Sequence, residues 1–338
     1  MSISRIFSFT PVALLAWLAY SPDVVYARGR GGGSSGGHSS GSGSSGGGKS
    51  SLKLDSGEAA IFSFFIVFSV FTFYQLIMAF TGMVGRRKEG EDFARRRPFM
   101  VVLFLSTAAL LVTYVLGAVI YSHPNTYFAP GVNAIFGLTQ ELGTEFLYTA
   151  FFILLMYRGS AQLSRFTGAP VGTSTAGTIS RVVVFALLFI MLASTVVRTV
   201  MGAIVRVTDD LRLAYNALYH VYIGIYSILT FVILVASILL WKNRDPTYTT
   251  HELSLWDTNV LRRIMVICAP VLLIRALFEI STDIITSHKE FYAQVSRLGL
   301  FIASEIIDGV TYLWVIYVAL GFGIPPKQKG QYKAVATK

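Results

Sequence analysis

Between residues 59 and 320 the chain alternates long apolar runs with shorter polar stretches. Seven runs stand out, at about 59–81, 99–121, 136–157, 182–204, 217–241, 264–285 and 298–320. Each holds about 20 residues or more, enough to cross ~30 Å of hydrocarbon at a rise of 1.5 Å per residue. Strands of a membrane barrel alternate strictly and need only about 9–11 residues. These runs lack that alternation, so they predict helices, whose backbone groups are satisfied within the segment. The expected fold is all-α, a bundle of seven transmembrane helices spanning 58–321.

The stretch before the first run is different in kind. Residues 1–27 read as a secretory signal peptide. Arg5 supplies the positive start, Ile6 to Tyr20 the apolar stretch, and Val25-Tyr26-Ala27 a small-residue cleavage site. Residues 28–57 are dominated by Gly and Ser. They hold little that can bury apolar area, so nothing offsets the entropy of ordering them, and a disordered extracellular tail is expected. Gly46-Gly47-Gly48-Lys49-Ser50 imitates the end of a phosphate-binding loop. The full spacing and the preceding strand are missing, so no nucleotide site is expected.

Composition sharpens this reading. Of 338 residues 54% are hydrophobic and only 14% charged, against about 25% charged in ordinary soluble domains. A soluble globular enzyme is excluded on that ground. The net charge of +10 reports topology. Loops 82–98, 158–181 and 242–263 and the tail after residue 320 carry 17 Lys and Arg, against 8 in the other loops and the Gly/Ser tail. The positive-inside bias then places the N-terminus outside and the C-terminus, with its basic 322–338 tail, inside. This agrees with the signal peptide and predicts a multi-pass protein of the secretory pathway and plasma membrane. Membrane lipids are the partners implied by Arg86-Arg87-Lys88 and Arg95-Arg96-Arg97. The basic residues flank spans rather than forming one stripe, so no nucleic acid is expected. Cys268 is the only cysteine, which excludes an intrachain disulfide.

Ionisable residues inside spans are costly and are functional candidates by default. Arg275 lies roughly 16 Å into the sixth span and Asp308 roughly 15 Å into the seventh, both near the midplane. A short connection favours side-by-side packing of these helices, and hence pairing. Glu279 sits one turn from Arg275 on the same face, Glu305 nearly one turn from Asp308, and Glu145 on the third helix is expected at a similar depth. One arginine then faces up to four carboxylates, which are expected to share protons or hold a cation. That pattern suits recognition of a small or lipidic ligand, proton-coupled transport or lipid export, or a polar lock that only fixes packing. Arg198 and Asp283 lie close enough to the outer boundary to snorkel, and Glu141 is placed at the interface. Tyr215, Tyr219, Tyr222 and Tyr226, with His220, read as an interfacial aromatic belt. The histidines lack helical i, i+4 spacing, so no metal site or cofactor is expected. Pro270 is expected to kink the sixth helix.

Enzyme chemistry finds little support. No lysine lies in a span to form a retinal Schiff base, and neither G-x-S-x-G nor H-E-x-x-H occurs. The large receptor classes match poorly. The seventh span lacks N-P-x-x-Y and the third lacks D-R-Y. The sixth and seventh spans, about 264–326, carry I-C-A-P-V-L-L-I-R-A-L-F-E, then E-I-I-D-G-V-T-Y, then a lysine-bearing tail. This part resembles seven-helix fungal membrane proteins described as lipid-translocating-exporter-like or receptor-like. The first five helices carry no motif of that group, and the Gly/Ser tail is not part of its pattern. The resemblance implies a plasma-membrane protein of lipid or stress response, or a sensory receptor. In the receptor reading, a cytosolic partner would engage loop 242–263.

Overall fold

The computed structural model describes residues 56–84, 91–123, 130–167, 175–203, 209–242, 260–287 and 297–323. The expected signal peptide, Gly/Ser tail and basic C-terminal tail fall outside the described residues, as does most of loop 242–263. Among the described residues the structure is all-helical, with α1 Ser56–Val84, α2 Glu91–Ser122, α3 Pro130–Thr167, α4 Thr175–Ala203 and α5 Asp209–Lys242. Helix α6 covers 260–287, with a π-helical turn Ile264–Cys268 running into Ala269–Ser287, and α7 is Arg297–Gly323. Each helix contains most or all of one apolar run, and most extend beyond it, because a helix continues into the polar flanks where the apolar run stops.

Each helix packs on the next, and α7 returns to pack on α1 and α2. The bundle is therefore a closed ring, and α3 reaches inward to touch α5 as well. Side-chain contacts fix the directions. Phe65 meets Tyr114 and Phe80 meets Phe104, so α1 and α2 are antiparallel. Ser106 bonds Gly143 while Thr113 bonds Thr139, so α2 and α3 are antiparallel too. Phe68 lies against Gly309 and Gln75 bonds Leu313, so α7 runs parallel to α1.

The helix period separates inside from outside. On α1, Ile61, Phe65, Phe68, Thr72, Gln75 and Ala79 are buried, while Ile66, Val70, Phe73 and Ile77 are exposed. The exposed row is as apolar as the buried one, which is how a helix meets lipid on one side and protein on the other. On α4, Val182, Phe185, Phe189 and Val196 form a similar outward row.

Among the described residues six helices are long and apolar enough to cross a membrane: all but α3. Helix α3 is longer than any of them, at 38 residues. Its hydropathy is lowered by Thr139, Gln140, Glu141, Thr144, Glu145 and Thr149, all within three turns. Those residues serve the interior, so the least apolar helix is also the one that reaches across to α5.

At the start of α6, the Ala269 N–H donates to the Ile264 carbonyl across the π turn. Pro270 follows at once and has no N–H to give the carbonyl one turn earlier. The expected Pro270 distortion thus takes the form of a π turn on its N-terminal side.

Candidate functional site

Arg275 is carried on the inward face of α6, among the buried Cys268, Ala269, Leu272 and Ala276. The residue is only 5% exposed, so its charge cannot be left to solvent. Its Nε donates to Asp308 Oδ1 at 2.6 Å and its Nη2 to Oδ2 at 3.0 Å, a two-point fork. Nη1 donates to the Tyr226 hydroxyl at 2.6 Å. The rings of Tyr226 and Tyr312 flank the guanidinium with centroids at 5.0 and 4.3 Å, a cation–π arrangement in a desolvated place. Gln140 Nε2 reaches Asp308 Oδ2 at 3.3 Å. The Thr144 and Tyr312 hydroxyls are hydrogen-bonded to each other. Four helices, α3, α5, α6 and α7, therefore meet on one ion pair.

The layer continues along α3 and α5. The Tyr148 hydroxyl pairs with Thr230 Oγ1 at 2.5 Å, and its ring lies 5.1 Å from that of Tyr226. These bonds engage all three side-chain nitrogens of Arg275 and both carboxylate oxygens of Asp308 inside the bundle.

Toward the ends where α6 finishes and α7 begins, the polar groups open out. Glu279 Oε1 lies 3.6 Å from Arg275 Nη2, and its side chain keeps 16% of its surface exposed. His220 Nδ1 and Asp283 Oδ2 are 2.8 Å apart, bridging α5 and α6, with the histidine half exposed. Glu305 lines a narrow crevice, too tight to hold a water molecule, with Ile61, Phe64, Phe65, Phe68 and Ile302 of α1 and α7. It lies in the electrostatic field of Asp308, Glu279 and Arg275.

Of the residues expected to form one cluster, Arg275, Glu279 and Asp308 come together in direct contact. Glu305 is in range but faces the α1–α7 crevice. Glu145 turns to the other side of α3, where it accepts from Thr195 Oγ1 of α4 at 2.6 Å.

Three expectations are corrected. Arg198 does not snorkel: it is 6% exposed and its Nη1 lies 2.9 Å from Glu141 Oε1. Rings of Tyr215, Tyr219 and Tyr222 surround its guanidinium at 5.1, 4.5 and 5.6 Å. Glu141 is accordingly an arginine partner rather than an interfacial group. The tyrosines of α5 are not a lipid-facing belt either. Tyr222 and Tyr226 are buried, and spacings of four, three and four residues put all four on the inward face. The sequence gives depth along a span, but rotation about the helix axis decides which way a side chain points.

Sequence reasoning missed Tyr226, Tyr312, Gln140 and Thr144. Each of the four carried a signal. Tyr312 follows Asp308 by four residues, and Gln140 and Thr144 belong to the polar row that makes α3 the odd helix. For Tyr226 the signal was the i, i+4, i+7, i+11 spacing of the row itself.

The fold and this interior define the class: an all-helical protein of the multi-pass membrane kind, with a polar centre inside the bundle. No protein-family profile, curated protein or solved structure matches the chain.

Proposed function

We propose that this chain is a seven-span plasma-membrane protein that recognises a small or lipidic ligand at the acid-rich end of its bundle, in the manner of a receptor. In this reading the N-terminal side lies outside after removal of residues 1–27, and α3 is the seventh crossing. The antiparallel packing of α3 against both α2 and α4 supports a crossing, since neither neighbour could be met along such a length by a helix lying flat.

The supporting observation is a charge imbalance. Glu141, Glu145, Glu279, Asp283, Glu305 and Asp308 share two interior arginines and one histidine. Asp308 and Glu141 hold the arginines and Asp283 holds the histidine. Glu279 has only a 3.6 Å contact to the Arg275 that Asp308 already holds, Glu305 lies at the α1–α7 crevice, and Glu145 has only a threonine donor among the described contacts. An isolated carboxylate in a low-dielectric site is costly, so these positions favour whatever brings positive charge. A ligand bearing an ammonium group supplies it. The closed Arg275–Asp308 pair then acts as the lock against which α6 moves, and the basic loop 242–263 is the place for a cytosolic partner.

Proton-coupled transport or lipid export is the second reading, because protons balance the same carboxylates. The experiment separates them. In detergent-purified protein, millimolar methylammonium or tetramethylammonium is expected to raise Tm at neutral pH, and Glu279→Gln with Glu305→Gln to abolish the shift. Substrate flux into liposomes that follows a pH gradient, with no such cation shift, would replace recognition by transport. Full folding with neither response would leave the acids a packing device alone.

A further inference from the structure

Helix α6 is wound in two ways. Its π turn, Ile264–Cys268, closes through the bond from the Ala269 N–H to the Ile264 carbonyl, five residues back where an α-helix reaches back four. Such a turn holds one residue more than the α winding on either side of it. An α-helix advances about 100° per residue, so every side chain after the turn is set back by about that angle. Ile264 and Cys268 at the ends of the turn are buried, while Val266 between them is 60% exposed. The extra residue is therefore taken up on the outward side of the helix. Pro270 has no N–H to offer the Val266 carbonyl, so α winding would gain one bond fewer here than elsewhere in the helix.

The parts of α6 before and after the turn are held separately. Before it, Arg263 lies beside Gly321 of α7, its Nη1 3.4 Å from where a Cβ would stand. After it, Arg275 forks onto Asp308 of the same helix and bonds Tyr226 of α5, and Asp283 pairs with His220 of α5. Arg275 and Asp283 belong to one α-wound stretch, Ala269–Ser287, so they can only turn together. Each of their contacts depends on direction, and the setback introduced by the π turn fixes that direction.

We infer that the π turn of α6 is a rotary device. Kept open, it aims Arg275 at Asp308 and Asp283 at His220. Drawn out into α winding, it turns the stretch after it by about 100° and releases both pairs at once. The Arg275–Asp308 pair is what holds the turn in its wider, less common form. This is independent of whether the acids serve a ligand, protons or packing alone.

Site-directed spin labelling of the full chain in lipid nanodiscs, in a Cys268→Ala background, tests this through oxygen accessibility, which reports exposure to lipid. Turning by one residue gives each position the place of the next one along. Ile274, 64% exposed, then takes the buried place of Arg275, and Leu273, half-buried, takes the exposed place of Ile274. Labels are attached to Leu273→Cys and, in a second variant, to Ile274→Cys. Asp308→Asn keeps the side chain's shape and removes the charge that holds the turn open. It is expected to lower accessibility at position 274 severalfold relative to position 273. Deleting Val266 takes out the extra residue and leaves Arg275 facing Asp308, so the labels should report the pattern of the natural protein, and Asp308→Asn should no longer change it. A ratio between the two positions untouched by Asp308→Asn overturns the inference. So does the same change with and without Val266. If the deletion variant fails to fold, the ratio in the chain of natural length decides alone.

Discussion

Arg275 concentrates more of the bundle in one side chain than any other residue described here. It bonds α7 through Asp308 and α5 through Tyr226, and Asp308 bonds α3 through Gln140. Removing one partner of such a pair leaves the other charge buried and alone, at about 3–5 kcal/mol. Arg275→Met and Asp308→Leu are each expected to destabilise by that order in detergent unfolding. The double variant should recover a large part, since an apolar pair of similar volume is often neutral. Losses that simply add would show that the pair is not a unit. Glycine tells a second story at this scale. A Cβ at Gly117 would stand 2.5 Å from Phe65, and one at Gly309 would collide with Phe68. Either alanine overpacks a tight seam, at about 1–3 kcal/mol. Gly309→Ala should be rescued by Phe68→Leu, which withdraws the ring, and a Tm series on the three variants checks this.

Helix α5 is the element whose character changed most between sequence and structure. Its tyrosine row lines the inner wall, holding Arg198 at one end and Arg275 at the other. Tyr226→Phe removes a 2.6 Å bond to a buried charge and should cost about 1.5–3 kcal/mol. Tyr215→Phe removes only a 3.5 Å contact at a half-buried site and should cost little. Equal losses at the two positions would contradict the graded row. The apolar runs of the seven helices were legible in the sequence, because lipid imposes length and composition on each helix independently of its neighbours. The pairing of Arg275 with Asp308 was legible too, since both sit mid-span on consecutive helices and neither can stay unpaired there. Arg198 was misjudged because distance to the boundary does not fix rotation about the axis. Glu145 was placed with the wrong partners for the same reason: its depth fits the cluster, but its face turns toward Thr195 of α4. What depends on azimuth and on several helices at once cannot be read from one span at a time.

At the scale of the whole molecule the open question is how the ring sits in the bilayer, and the polar α3 is where that matters. Counting only strongly apolar helices gives six crossings, which would put both termini on one side. Yet α3 bonds α2 through Ser106 and Thr113 and meets α4 through Glu145 with Thr195 and Glu141 with Arg198, in antiparallel register on both sides. Its polar residues are spent inward, on Asp308, Tyr312 and Tyr148's partner on α5, rather than outward on water. A helix enclosed on that face by the bundle needs less hydropathy to span than an isolated one, because its polar groups never meet lipid. The proposed reading makes α3 a seventh crossing, with the termini on opposite sides. The buried Cys268 makes the test simple. A membrane-impermeant maleimide applied to intact cells should leave the natural protein unlabelled. In a Cys268→Ala background, single cysteines at His38 and Asn125 should label without permeabilisation. Those at Lys88, Val171 and Lys329 should label only after it. The pair flanking α3 is decisive: Asn125 and Val171 labelling together from outside would mean that α3 does not cross, and the inner-loop charge bias would then need another explanation.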